Sequence, residues 1–178
     1  MTDMTAGYAQ ALFDLAREES LSGEFLQQLQ VLDGAFREEP DFIRLLCSAN
    51  VPKTERCQIL DSLRGKTEPC VLNFMKLLTE KGYMRHFPDC CKAYRDLYNE
   101  ANGILEVRAV SAVALTQQQE QRLRQKLAAL TGKEICLLCS VDETVLGGMR
   151  LDYDGKRLDD TLQHRLQTIR QLLTDTVL

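Results

Sequence analysis

The sequence predicts an α+β protein, mainly α, with an N-terminal six-helix bundle over residues 1–103. A small α/β domain over residues 104–178 follows, with a β-hairpin and a terminal helix. Three observations predict this. Through the first hundred residues, apolar side chains recur at spacings of three and four, the period of a helix. After Gly103 the period falls to two, that of a half-buried strand. Asp154-Gly155, behind an alternating apolar run, is a two-residue hairpin signal.

Residues 5–19 make the first helix. Tyr8, Ala11, Leu12 and Leu15 form one stripe, and Ala9, Phe13 and Ala16 form a second beside it. Together they cover roughly 200° of the helix, twice the ~100° that a surface helix normally buries. This helix is therefore expected to contact two things at once. Phe25, Leu29, Leu32 and Phe36 give a second helix, stopped by Pro40. Asp41 can cap a short third helix carrying Phe42, Leu45 and Leu46. Pro52 suits the first turn of a fourth, with Ile59, Leu60 and Leu63 facing inward. Thr67 and Pro69 open a fifth. Val71, Phe74, Met75 and Leu78 line one face, Leu72 and Leu77 flank it on opposite sides, and Gly82 stops it. The arc is again too wide for one contact. A sixth helix from Phe87 to Ala101 turns Cys91, Tyr94, Leu97 and Tyr98 inward.

Beyond the boundary at Asn102-Gly103, Leu105, Val107 and Ala109 alternate with charged residues as a strand. Thr116 and Gln119 form a capping-box pattern. The helix it opens carries Leu123, Leu127 and Leu130 on one face and closes at Gly132. Ile135, Leu137, Cys139 and Val141 alternate as a second strand, and Met149, Leu151 and Tyr153 as a third. Thr161 can cap a last helix bearing Leu162, Leu166, Ile169 and Leu173.

Composition narrows the function. The chain has 178 residues, of which 44% are hydrophobic and 27% charged, enough to bury a core in one or two domains. Net charge is −4, and no basic cluster is visible, so nucleic acid is not an expected partner. No apolar run approaches the ~20 residues that span a bilayer, so any membrane association is expected to be peripheral. The N-terminus reads as neither a secretory signal nor a transit peptide. The seven cysteines, Cys47, Cys57, Cys70, Cys90, Cys91, Cys136 and Cys139, are read as free thiols in or near the core.

Chemistry is harder to find. Cys136 and Cys139 have metal or redox spacing, but on a strand residues three apart point to opposite faces. Gly147-Gly148 lacks the Gly-Lys-Ser/Thr ending of a phosphate loop and reads as a tight bend. Asp152 and Asp154 start like a calcium loop, but Lys156 stands at the next ligand position. His86 reads as a capping or surface residue and His164 as lying on a polar helix face. No catalytic, metal or cofactor site is expected. The pattern favours a binding module over an enzyme.

Three segments carry a resemblance to a known family. Tyr8-Ala-Gln-Ala-Leu-Phe-Asp-Leu-Ala16 resembles the opening helix of ATP synthase delta subunits and of their mitochondrial counterpart, the oligomycin-sensitivity-conferring protein. Asn73-Phe-Met-Lys-Leu-Leu-Thr-Glu-Lys-Gly82, with Pro88 after it, is similar to the family's fifth helix and following turn. Val141-Asp-Glu-Thr-Val-Leu-Gly-Gly-Met-Arg-Leu151, then Gly155 and Asp159-Asp-Thr-Leu162, is similar to its C-terminal signature. The three lie in the family's order across nearly the whole chain.

The resemblance implies a non-catalytic stator subunit of a bacterial F-type ATP synthase, peripheral on the cytoplasmic face of the membrane. The N-terminal domain would bind the N-terminal helix of an alpha subunit of the catalytic head, in a groove between the first and fifth helices. The C-terminal domain would engage the b subunits of the peripheral stalk. The groove residues it implies are Tyr8, Ala11, Leu12, Leu15, Asn73, Leu77 and Glu80. Gly147, Gly148 and Gly155 are expected to serve backbone geometry. The competing reading is a cytosolic helical adaptor of another pathway, and an enzyme with a distributed site is third.

Overall fold

The computed structural model describes residues 3–48, 50–142, 145, 148–153 and 155–159. The chain divides into two compact units, Met1–Tyr98 and Asn99–Leu178. The expected terminal helix from Thr161, and His164 on it, lie outside the described residues. The class is α+β and mainly α.

In the first unit the helices are α1 (Asp3–Glu18), α2 (Ser22–Glu38), α3 (Pro40–Cys47), α4 (Lys53–Asp61), α5 (Pro69–Lys81) and α6 (Phe87–Ala101). A single 3₁₀ turn, Met84–His86, precedes α6. They converge on one core. Ala9, Leu12, Phe13 and Ala16 of α1 meet Phe25, Leu29 and Phe36 of α2, Val71, Met75 and Leu78 of α5, and Phe87 and Tyr94 of α6. Phe13 and Tyr94 pack edge to face at 5.5 Å, as do Phe36 and Phe87 at 5.2 Å.

Local chemistry sets the helix ends. Pro40 and Pro69 occupy first-turn positions, where a missing N–H costs nothing. Gln28 Oε1 accepts from the Glu68 backbone N–H at 2.8 Å, fixing the start of α5 to α2. At the other end of α5, Gly82 adopts φ 75°. The Tyr83 N–H then reaches back to Leu78 O at 2.7 Å and the Gly82 N–H to Thr79 O at 3.1 Å, a Schellman cap. α1 ends the same way, but with Ser20 at φ 59° in place of glycine. Two boundaries differ from expectation. α3 begins at Pro40, so Asp41 lies inside its first turn, paired with Arg44 at 2.8 Å. Pro52 is the residue before α4, not part of it.

The second unit opens with β1 (Ile104–Ser111), α7 (Gln117–Thr131) and β2 (Glu134–Val141), followed by β3 (Met149–Tyr153) and β4 (Lys156–Asp159). The sheet order is β2-β1-β3-β4. β1 and β2 are parallel, joined by the α7 crossover, while β3 runs antiparallel to both β1 and β4. The Thr116–Gln119 capping box forms at the start of α7. Gly155, at φ 71°, takes the left-handed turn between β3 and β4, which a Cβ would strain. Gly148 has φ 86°, and Gly147 lies outside the described residues.

Strand register puts Val107 and Ala109 of β1, Leu137 and Cys139 of β2, and Leu151 and Tyr153 of β3 on one face. α7 covers the β2 part of it, since the Cys139 thiol bonds to Glu120. Burial here corrects two expectations. Cys136 and Cys139 are exposed, because β2 is an edge strand and only Ile135 on it is buried. Leu130 is also exposed, while Leu123 and Leu127 are half-buried, so the α7 stripe tapers out at its C-terminal end.

Candidate functional site

α1 and α5 lie side by side and run antiparallel. At one end the Cys70 thiol, in the first turn of α5, donates to the Glu19 carboxylate just past α1, at 3.7 Å. At the other end the rings of Tyr8 and Tyr83 meet at 6.2 Å. Eleven residues of α1 separate these contacts, a length of about 17 Å.

Burial splits the apolar arc of α1 into two faces. Thr5, Ala9, Leu12, Phe13 and Ala16 turn into the core, and Leu12 is only 3% exposed. Met4, Tyr8, Ala11 and Leu15 form a second stripe at spacings of four, three and four. Leu15 is 48% exposed, Met4 44%, and Tyr8 half-buried. On α5 the outward ridge is Asn73, Leu77 and Glu80, all exposed, with Leu77 at 39%. Val71, Leu72, Phe74, Met75, Leu78 and Thr79 hold the inner face.

Leu15 of α1 and Leu77 of α5 are thus both exposed, on two adjacent helices. Tyr8 and Ala11 continue the α1 wall. Leu12 belongs to the core beneath it. Glu80 sits further round α5, where it lines a crevice of about 630 Å³ with Lys53, Thr54, Cys57, Gln58 and Lys81. Met4, four residues before Tyr8, is also exposed and extends this stripe.

Polar contacts tie α5 to α4 and α4 to α3. Lys76 on α5 binds Asp61, the last residue of α4, at 2.6 Å, and that hydrogen bond draws the Asp61 carboxyl below its ordinary value. The Arg56 guanidinium, buried in α4, donates to Leu46 O at 2.9 Å and caps α3.

Among the described residues, titratable groups elsewhere show no convergence. His86 bonds to Asp89 at 3.4 Å, at the surface. Burial pushes the Cys90 thiol up to about 11 and Cys91 higher still, which keeps both protonated. Among the described residues no three His, Cys, Asp or Glu side chains group as metal ligands. No helix among them is long and apolar enough to cross a membrane.

The first unit is a bundle of helices with exposed apolar residues on α1 and α5, and the second a small α/β unit. The chain belongs to the ATP synthase delta (OSCP) subunit family, whose model matches residues 5–173. It is 31% identical over 168 residues to ATP synthase subunit delta of Desulfitobacterium hafniense strain Y51, covering 94% of each chain. To the same subunit of Moorella thermoacetica it is 30% identical over 166 residues, 93% of each. Its fold matches a chain of the Toxoplasma gondii mitochondrial ATP synthase hexamer with a TM-score of 0.78 at 17% identity, covering 97% of this chain and 98% of that one.

Proposed function

We propose that this chain is the non-catalytic stator connector of a bacterial F-type ATP synthase. Its first unit grips the catalytic head and its second the peripheral stalk, so the head does not turn with the rotor. What supports this reading is family membership together with the exposure of two leucines, Leu15 and Leu77, on the adjacent helices α1 and α5; the groove proposed for the partner is the valley between these helices. Its length and apolar spacing suit an amphipathic helix of about three turns, anchored every three or four residues. The occupant is the N-terminal helix of an alpha subunit. Tyr8, Ala11, Leu15, Asn73 and Leu77 contact it directly, Glu80 meets its end, and Leu12 supports the wall from within.

Residues 104–178 engage the b subunits, and membrane association at the cytoplasmic face is indirect, through these partners. Two attachment points on one chain raise the effective concentration of each for the other and slow complete release. Calorimetric titration of the full chain with a synthetic alpha N-terminal peptide from the same organism tests the first attachment. Saturable one-to-one binding is expected. Absence of binding, with the chain folded by circular dichroism, removes the valley from the mechanism.

A further inference from the structure

The crevice beside Glu80 lies where the first turn of α4 meets the last turn of α5. Lys53, Thr54, Cys57 and Gln58 line it from α4, and Glu80 and Lys81 from α5. Its volume of about 630 Å³ falls within the roughly 300–1,000 Å³ of ligand clefts. Its lining differs from theirs. Such clefts are walled mainly by apolar and aromatic side chains. Here Cys57 is the one lining side chain without a charge, hydroxyl or amide. That chemistry suits a charged group on a chain anchored elsewhere better than a free organic molecule.

The cations of the crevice are spare. α4 and α5 carry Arg56, Lys76, Lys53 and Lys81. Arg56 donates to Leu46 O, and Lys76 is held by Asp61 at 2.6 Å. Among the described residues Lys53 and Lys81 have no carboxylate partner, Glu80 included, and these are the two that line the crevice. Two ammonium groups against one carboxylate leave it positive, in a chain whose net charge is −4. A further carboxylate set between the two ammonium groups is attracted by both.

The crevice also adjoins the surface proposed for the partner helix. Glu80 follows Leu77 on the outer ridge of α5 by about one turn and is itself a wall of the crevice. A chain leaving a helix anchored at Leu77 reaches the crevice within about 5 Å of rise.

We propose that the crevice is a second contact for that partner: the segment flanking the alpha-subunit helix carries an aspartate or glutamate whose carboxylate sits between Lys53 and Lys81. This rests on the stator reading above. The Thr54 hydroxyl and the Gln58 amide are further donors to the same carboxylate, and Glu80 accepts from a backbone N–H of the passing segment. The apolar groove supplies most of the affinity, while the crevice fixes the register of the helix along α5 and steers its approach.

The test titrates the full chain with the synthetic alpha N-terminal peptide of the same organism. That peptide should carry an acidic residue within about one turn of the end of its apolar stripe. Lys53→Ala and Lys81→Ala should each weaken binding about threefold, the size of one exposed ion pair. Lys53→Glu combined with Lys81→Glu should weaken it at least tenfold, while Lys92→Glu, an exposed charge on α6, should leave it within twofold. All three lysines are exposed, so every variant should keep the wild-type circular dichroism. Replacing the peptide's acid by its amide should weaken wild-type binding and abolish the further effect of the alanine variants. Cys57 reports occupancy directly: its alkylation, located by peptide mapping, should slow at least tenfold when the peptide is bound. Wild-type affinity in the double charge reversal, an unprotected Cys57 in the saturated complex, or a peptide without that acid would overturn the crevice proposal and leave the groove standing. Absence of binding to the wild-type chain would remove groove and crevice together.

Discussion

Leu12 and Leu15 stand three residues apart on α1, and their exposures of 3% and 48% assign them opposite jobs. Leu15→Asp places a carboxylate that stays solvated in the free protein, so folding stability should change by less than about 0.5 kcal/mol. In the occupied valley the remaining half of Leu15 is covered. Full burial of a leucine contributes about 1.5–3 kcal/mol, so losing half of it costs about 1 kcal/mol. Burying an unpaired carboxylate there adds several kcal/mol before relaxation. A net loss of about 3 kcal/mol is a Kd weakened roughly a hundredfold. Leu12→Ala, by contrast, opens a core cavity and should cost about 2–5 kcal/mol of stability. The assays are denaturant unfolding of each variant and titration with the alpha N-terminal peptide. If Leu15→Asp unfolds the chain, or binds the peptide as the wild type does, the division of α1 into a core face and a partner face is wrong.

Three further outcomes follow from the two units. Ser20→Gly should raise stability by about 0.5–1 kcal/mol in denaturant melts, because φ 59° strains serine and not glycine. Asp61 is held below its ordinary value by Lys76. Its contribution is therefore present above the unfolded value near 3.8 and is lost as pH falls through the lower folded value. Asp61→Asn should be less stable than wild type at neutral pH, and the two acid-unfolding curves should converge below pH 3.8. Thiol labelling followed by mass spectrometry should modify Cys136 early, while Cys90 and Cys91, buried and protonated, should react only on unfolding.

The helices were legible because each carries its own period and its own punctuation. Pro40, Pro69, Gly82, Gly132 and the Thr116–Gln119 box all mark helix ends in the structure. The strands of the second unit were legible from alternation, but their order was not. That β2 lies outermost among the described strands is set by the α7 crossover and by β3 taking the other side of β1. Alternation gives each strand two faces and says nothing of its neighbours, which is why Cys136 and Cys139 were misplaced in the core. Within the candidate site, the wide arcs of α1 and α5 could be read from the chain. The division between their inner and outer halves could not, because Leu12 and Leu15 differ by only about 60° around the helix. Only packing against α2 and α6 decides which of them turns inward.

The central claim is that one chain holds head and stalk together. The buried cluster of the first unit runs from Ala9 to Tyr94, so a fragment of residues 1–102 keeps its whole core and both walls of the valley. The direct measurement is proton-driven ATP synthesis by membranes and catalytic heads stripped of this subunit, with either the full chain or that fragment added back. The account predicts that the full chain restores synthesis, and that the fragment binds heads, restores nothing and competes with the full chain. Coupled synthesis rebuilt by residues 1–102 alone would contradict it.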